Sequence, residues 1–370
     1  MEEAVKTLAD IGEFGFIEIL RSKFNVNLDP SVVLGIGDDV AVIDVGGSEY
    51  LLATCDAQIG DVHFPVGLIP PYDLGCRIVE VNASDVAAMG GAPCWALVGL
   101  NVPSKTSITF LEEFYTGVGD SLARMGALLV GGNCARTKHE LVIDMFLVGT
   151  VPKDQLIKRK GASAGDVIFV TGTLGKSKAG FEVVLGDAGK AFNEKGSVID
   201  RAKQAFFRPK ARVAEGRKFA LSGCVTAMID ISDGLLQDLG HLARENQLDV
   251  VVDILKIPVD PLCEEVAKQV GSNPLVWALI GGEDYELLFS VPEDRIPELM
   301  TRLSHETSMS SSRTASGCSE SDVLAVPITP IGFFREGSGK VFLKGLNGEI
   351  IPSEAFIGAG GWDHFRGGNS

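Results

Sequence analysis

Aspartate is the residue type in this chain whose placement could do chemistry. Gly35-Ile36-Gly37-Asp38-Asp39 leads into an apolar segment, and Leu51 to Asp56 reads as a strand closing on an acid. Asn82-Ala83-Ser84-Asp85 sits inside a stretch with helical spacing that should be largely buried, and Asp230-Ile231-Ser232-Asp233-Gly234 follows another apolar run. A further acidic segment is Gly281-Gly282-Glu283-Asp284-Tyr285-Glu286. In α/β proteins a carboxylate at the carboxyl end of a strand faces the crevice where ligands bind. Several unpaired carboxylates there repel one another and resist leaving water. A hard divalent cation removes that penalty, and Mg²⁺ is normally held by carboxylates together with substrate phosphates. Singly these segments are bland: Asp-Asp after glycine is a common turn, and Asp230 to Gly234 would serve as a helix N-cap. Their joint occurrence is what points to a metal and phosphate site.

Other chemistries find little support. No G-x-x-x-x-G-K-[ST] occurs, and Thr171-Gly172-Thr173-Leu174-Gly175-Lys176-Ser177 lacks the first glycine, so it reads as a strand running into a helix. No H-E-x-x-H, G-x-S-x-G or H-R-D motif is present, and the five histidines lie far apart. Seven cysteines show no C-x-x-C spacing, which argues against a zinc ribbon or a disulfide framework and for a reducing compartment. With 33 basic against 49 acidic residues the formal charge is −16, so nucleic acid and anionic membrane are not expected partners. A phosphate-bearing substrate stays open, because bound Mg²⁺ reverses the local sign. The first ten residues carry Glu2, Glu3 and Asp10, unlike a signal peptide, and the apolar stretch 86–102 is broken by Gly90, Gly91 and Pro93. A soluble, cytoplasmic protein is expected.

The elements that must carry these acids alternate between strand and helix patterns. Strands are expected over 141–151, 166–171, 225–229, 248–254, 285–291 and 323–334, and helices over 71–89, 109–125, 209–221 and 234–246. Such alternation implies an α/β or α+β fold. The polar segment 158–166 reads as a junction, which sets an N-terminal domain over 1–155 and a C-terminal domain over 156–370. Residues 304–321 are Ser-rich and read as a mobile surface insertion, and Asn347-Gly348 signals a hairpin. Ser84-Asp85 before Gly131-Gly132 echoes Ser232-Asp233 before Gly281-Gly282; two dipeptides are weak evidence for related halves, and chance is favoured.

Taken in order, GIGDDVAV (35–42), DAQIGDVHF (56–64), NASDVAAMGGAP (82–93), DISDGL (230–235), GGEDYELLF (281–289) and GWDHF (361–365) resemble the thiamine-monophosphate kinase family, within the aminoimidazole-ribonucleotide synthetase superfamily. The resemblance implies two α/β domains, with the N-terminal halves of two subunits pairing through their sheets in a homodimer. It implies ATP-dependent phosphorylation of thiamine monophosphate to thiamine diphosphate with several Mg²⁺ ions. Metal positions would be Asp39, Thr54, Cys55, Asp56, Asp85, Asn133, Asp230 and Asp233, with Asp39, Asp56, Asp85 and Asp230 central to catalysis. Arg159 and Ser232 would contact ATP beside the backbone at Gly132-Asn133, and His63, Glu283 and Trp362 would contact the acceptor. Physically, joining two polyanions calls for charge neutralisation and in-line positioning, with no covalent enzyme intermediate. Arg159 offers a fixed fork of donors to a phosphate. Trp362 stacked on the cationic thiamine would contribute about 1–2 kcal/mol.

The chain departs from the family pattern in three places. Asn133 stands where aspartate is common, Cys55 where threonine is, and Gly60-Asp61 where glutamate-glycine is. Asn133 has lost a charge, and Cys55 is a poor Mg²⁺ ligand through sulfur, although its carbonyl could serve. Two alternatives stay open: another ATP-dependent synthetase of the superfamily, and a low-activity nucleotide-binding paralogue. The chain ends Gly-Gly-Asn-Ser rather than in cysteine, and its first cysteine is Cys55, which argues against the hydrogenase-maturation and selenophosphate-forming types.

Overall fold

The computed structural model describes residues 7–25, 29–185, 197–305 and 326–357. Two mixed sheets organise them. The first holds β1 (Val32–Leu34), β2 (Ala41–Ile43), β3 (Glu49–Ile59), β4 (Ala92–Pro103), β5 (Leu128–Thr137) and β6 (Val142–Pro152) in the order β1-β2-β3-β6-β4-β5. The second holds β7 (Val167–Thr171), β8 (Ala227–Asp230), β9 (Leu248–Asp253), β10 (Leu287–Val291), β11 (Ile328–Glu336), β12 (Val341–Lys344) and β13 (Ile350–Pro352) in the order β13-β12-β9-β11-β7-β10-β8.

The two sheets differ in how their residues alternate, and the difference follows from what covers them. In β6, Ile143, Met145 and Leu147 are buried on one face while Phe146 is 39% exposed on the other. That is the pattern of a sheet packed on one side. In β10 every residue is buried, with Leu288 in one core and Leu287, Phe289 and Val291 in another, because this sheet is covered on both faces.

The first sheet packs on the helix Pro71–Ala88, of whose residues all but Pro71, Tyr72 and Asp85 are buried. Proline at its start suits a position whose amide has no helical partner. It lies close against the helix Ile108–Arg124, whose Ser107 cap accepts from the Phe110 amide at 3.1 Å. Glycine makes that approach possible: a Cβ on Gly75 would fall 2.0 Å from the Phe114 carbonyl oxygen, and one on Gly117 2.0 Å from that of Tyr72. The helix Pro71–Ala88 also meets the second half of the chain, packing on the helix Val213–Ser222 and on β8. It is the shared wall between the two sheets.

Several expected elements shift. β3 continues to Ile59, so Asp56 lies inside a strand rather than at its end. The strand expected over 323–334 is Ile328–Glu336, with 323–325 outside the described residues. The strand expected from 285 begins at Leu287, because Tyr285 has a left-handed φ of 51°. The helix expected from 209 begins at Val213. The helix Leu8–Phe24, capped by Thr7 with Asp10, is not among the expected elements, and its glycines, one of them (Gly12) at φ 70°, dilute the helical pattern. The hairpin at Asn347-Gly348 joins β12 to antiparallel β13, with Gly348 at φ 81°. The repeated dipeptides do not correspond: Gly131-Gly132 lies within β5 and Gly281-Gly282 in a loop after the helix Pro274–Ile280. Among the described residues the cysteines are free thiols, and no helix is long and apolar enough to cross a membrane. Most of the Ser-rich segment and Trp362 lie outside the described residues.

Candidate functional site

Four separate stretches of chain converge on one acidic group. Thr54 and Asp56 lie on the face of β3 that turns toward the helix Pro71–Ala88, two residues apart as the strand period requires. Asp85 and Ser84 are in the last turn of that helix. Thr54 Oγ1 donates to Asp85 Oδ2 at 2.5 Å, and Ser84 Oγ donates to Asp230 Oδ2 at 2.6 Å, where Asp230 closes β8. Asn82 braces the arrangement, accepting from the Asp56 amide at 3.0 Å while donating to the Ile78 carbonyl at 2.8 Å. Asp39 completes the group, and carboxylate oxygens of Asp39, Asp85 and Asp230 lie within 4.8 Å of one another.

Arg159, from the segment between β6 and β7, closes one side. Its Nη2 donates to Asp39 Oδ1 at 2.5 Å and its Nε to the same oxygen at 3.2 Å, while its amide donates to Asp38 Oδ2 at 3.3 Å. Burial opposes the charge on Arg159, but Asp39 and Asp38 outweigh it and hold the guanidinium above its ordinary pKa. One cation does not balance the acids. Burial and then Asp39 push Asp230 up to about 8, and burial and then Asp39 push Asp38 up to about 7. Asp85 is raised well above the carboxylate range by burial, then by Asp56 and Asp230. Asp39 is raised by burial against the pull of Arg159.

The donor set fits a hard divalent cation. Oxygens from three separate elements converge, and Asp39 Oδ2 is buried with no hydrogen-bond partner. An unpartnered buried carboxylate oxygen is costly unless a ligand satisfies it. Carboxylate oxygens are the ligands Mg²⁺ prefers, and its charge relieves the mutual repulsion that raises these groups.

The remaining predicted residues are placed separately. Ser232 and Glu283 are brought together: the Glu283 amide donates to the Ser232 carbonyl at 2.7 Å, and a Cβ on Gly282 would fall 2.4 Å from that oxygen. His63 Nδ1 accepts from the Ile59 amide at 3.0 Å, so a neutral ring carries its proton on Nε2. Asp233 belongs to a second group with Asp238 and His241, and it accepts from Gln237 Nε2 at 2.9 Å. Burial, Arg159 and Arg244 push His241 down to about 3, so its ring is neutral.

Cys55, Gly132 and Asn133 are not gathered at the acids. Cys55 is exposed on the outer face of β3, opposite Thr54, where burial and then Asp144 raise its thiol. Gly132 and Asn133 are exposed on edge strand β5, in register with Val98 and Gly99. Three strand spacings separate β5 from β3, about 14 Å. Sequence reasoning missed Ser84, which donates to Asp230, and Arg77, whose Nη2 pairs with Glu283. A serine beside Asp85 on a helix with almost no exposed residue was a usable signal for the first, as was a lone arginine on that helix for the second.

Comparisons with known proteins show the family and the fold. Residues 37–151 match the AIR synthase related protein N-terminal domain, and residues 163–307 match the AIR synthase related protein C-terminal domain. The thiamine-monophosphate kinase of Aquifex aeolicus is 36% identical over 78% of this chain and 88% of its own length. That of Haemophilus influenzae is 32% identical over 96% and 98%. The structure of AaThiL complexed with AMPPCP and TMP superposes with a TM-score of 0.79 at 31% identity, covering 98% of this chain and 100% of that one. An acid cluster shared between two AIR-synthase-related domains, with relatives of this closeness over most of its length, establishes that the chain belongs to the thiamine-monophosphate kinase family.

Proposed function

We propose that this protein transfers the γ-phosphate of ATP to thiamine monophosphate, giving thiamine diphosphate and ADP. The observation that carries the proposal is the convergence of Asp39, Asp85 and Asp230, with an unpartnered Asp39 oxygen, in a chain of this family. Mg²⁺ held by these residues, with Asp56 and Thr54 beside them, would neutralise the triphosphate and the acceptor phosphate. Arg159, whose Nε and Nη2 are held by Asp39, would offer its remaining guanidinium donors to a phosphate oxygen. An oxygen of the acceptor phosphate forms the new bond to the γ-phosphorus as the bond to the β,γ-bridging oxygen breaks, and no side chain is phosphorylated. Ser232 and Asp233 serve the nucleotide side. His63 and Glu283, with Trp362, serve the acceptor, where a carboxylate suits the cationic thiazolium ring.

The protein works as a homodimer in this reading, with domains 1–155 and 156–370 and a cytoplasmic setting. Support comes from the outer face of the first sheet, where Trp95, Leu97, Leu128, Val130 and Phe146 are all exposed. A contiguous apolar face of this kind marks an association surface.

A coupled ADP-release assay with thiamine monophosphate and Mg²⁺ tests the proposal. Turnover that depends on both is expected. ATP binding without turnover would leave a nucleotide-binding paralogue, and Asn133→Asp would then show whether the missing charge is the reason.

A further inference from the structure

We propose that Arg77 is a positioning residue for the acceptor: it fixes Glu283, from the other half of the chain, where that carboxylate meets the cationic ring. The inference rests on the acceptor reading above. Arg77 lies on the helix Pro71–Ala88 and is 0% exposed. Its Nε donates to Gln58 Oε1 on β3 at 2.8 Å, its Nη1 donates to the Phe206 carbonyl at 2.5 Å, and its Nη2 pairs with Glu283 Oε1. The guanidinium also lies 4.9 Å from the Phe206 ring centroid. A planar fork with two edges tied to different elements leaves the third nitrogen one direction in which to hold a carboxylate.

Glu283 is fixed from its own side as well. Its backbone is left-handed, at φ 66°, a conformation unfavourable for a residue with a Cβ, and its amide is bound to the Ser232 carbonyl. Its side chain nevertheless keeps 27% exposure. A glutamate held in a strained turn, backed by a wholly buried cation and still open on one side, is arranged to present its charge. Burial raises the Glu283 carboxyl overall, and the Arg77 charge and hydrogen bond pull against that rise.

Steady-state kinetics on the full chain test this. Arg77→Gln is expected to raise KM for thiamine monophosphate about tenfold, with kcat and KM for ATP within about twofold, and Arg77→Lys should recover part of the loss. Glu283→Gln should raise the same KM in the wild type but add less than about twofold in the Arg77→Gln background, since both changes break one pair. If Arg77→Gln does not fold, Gln58→Leu, which frees the Nε edge without touching a charge, should raise KM for thiamine monophosphate about threefold. Equal effects on both KM values, a full Glu283→Gln effect without Arg77, or an unchanged acceptor KM in Gln58→Leu would overturn the inference. A wild type that does not turn over thiamine monophosphate overturns the acceptor reading and this inference together, whereas a normal wild type beside an unaffected Arg77→Gln overturns this inference alone.

Discussion

Removing divalent cations should make the stability of this protein fall as pH rises from 6 to 8. The carboxyl of Asp230 goes from an ordinary value of 3.8 to about 8 in the folded chain, first because it is buried and next because Asp39 is near. In that window the native state holds a proton that the unfolded state has lost, so the stabilising contribution, full below pH 4, is lost as pH climbs through 8. At 1.36 kcal/mol per unit, and with half the proton gone at pH 8, Asp230 alone accounts for about 2 kcal/mol between pH 6 and 8. Asp38, pushed to about 7 by burial and Asp39, adds in the same direction. Thermal unfolding in EDTA at constant ionic strength should therefore show Tm dropping by several degrees, about 2–4 °C per kcal/mol. Mg²⁺ should restore most of this, and its effect should be larger at pH 8 than at pH 6, where protons compete for the same oxygens. Asp284, also raised to about 7 by burial, is bound to the amides of Gly175 and Ser177 and should leave a smaller slope that Mg²⁺ does not remove. A Tm in EDTA that is flat or rises with pH, or a Mg²⁺ increment equal at both pH values, would refute the reasoning.

Three other outcomes are expected. Asp39→Asn should lower turnover by roughly 100-fold, about 3 kcal/mol of lost charge stabilisation, while leaving Tm in EDTA unchanged or higher, because one of several repelling buried acids is gone. Gly117→Ala should destabilise the chain by about 3 kcal/mol in urea unfolding, since the new methyl meets the Tyr72 backbone at 2.0 Å and backbone cannot step aside. Phe146→Asp, at a side chain 39% exposed on the outer sheet face, should convert a dimer to a monomer in light scattering with little loss of secondary structure.

Much of the site was legible because strand ends and buried helices leave strong local marks. Asp230 after Ala227-Met228-Ile229 and Asp85 within a nearly all-buried helix were both readable as inward-facing acids. What escaped depends on partners distant in sequence. Arg77 and Glu283 are 206 residues apart, and nothing near either one specifies the pairing. The left-handed turns at Glu283 and Tyr285 are imposed by hydrogen bonds to Ser232 and Ile231 rather than by local propensity. Asp56 read as a strand end because its polarity breaks the apolar run, yet β3 continues past it through Ala57, Gln58 and Ile59 in register with β6. Cys55 and Asp56 are neighbours in sequence and face opposite sides of the sheet, as the twofold strand period demands.

The helix Pro71–Ala88 limits how the molecule can open. Asp73 pairs with Arg208, Glu80 accepts from the Ala211 amide at 2.9 Å, and Ser84 reaches Asp230, so three of its polar side chains are tied to the later half of the chain. Swinging the halves apart would strand all of them in one motion, at about 1–3 kcal/mol for each group left unsatisfied. Opening of the halves is therefore opposed at the helix that carries Asp85, which holds the acids of both halves together.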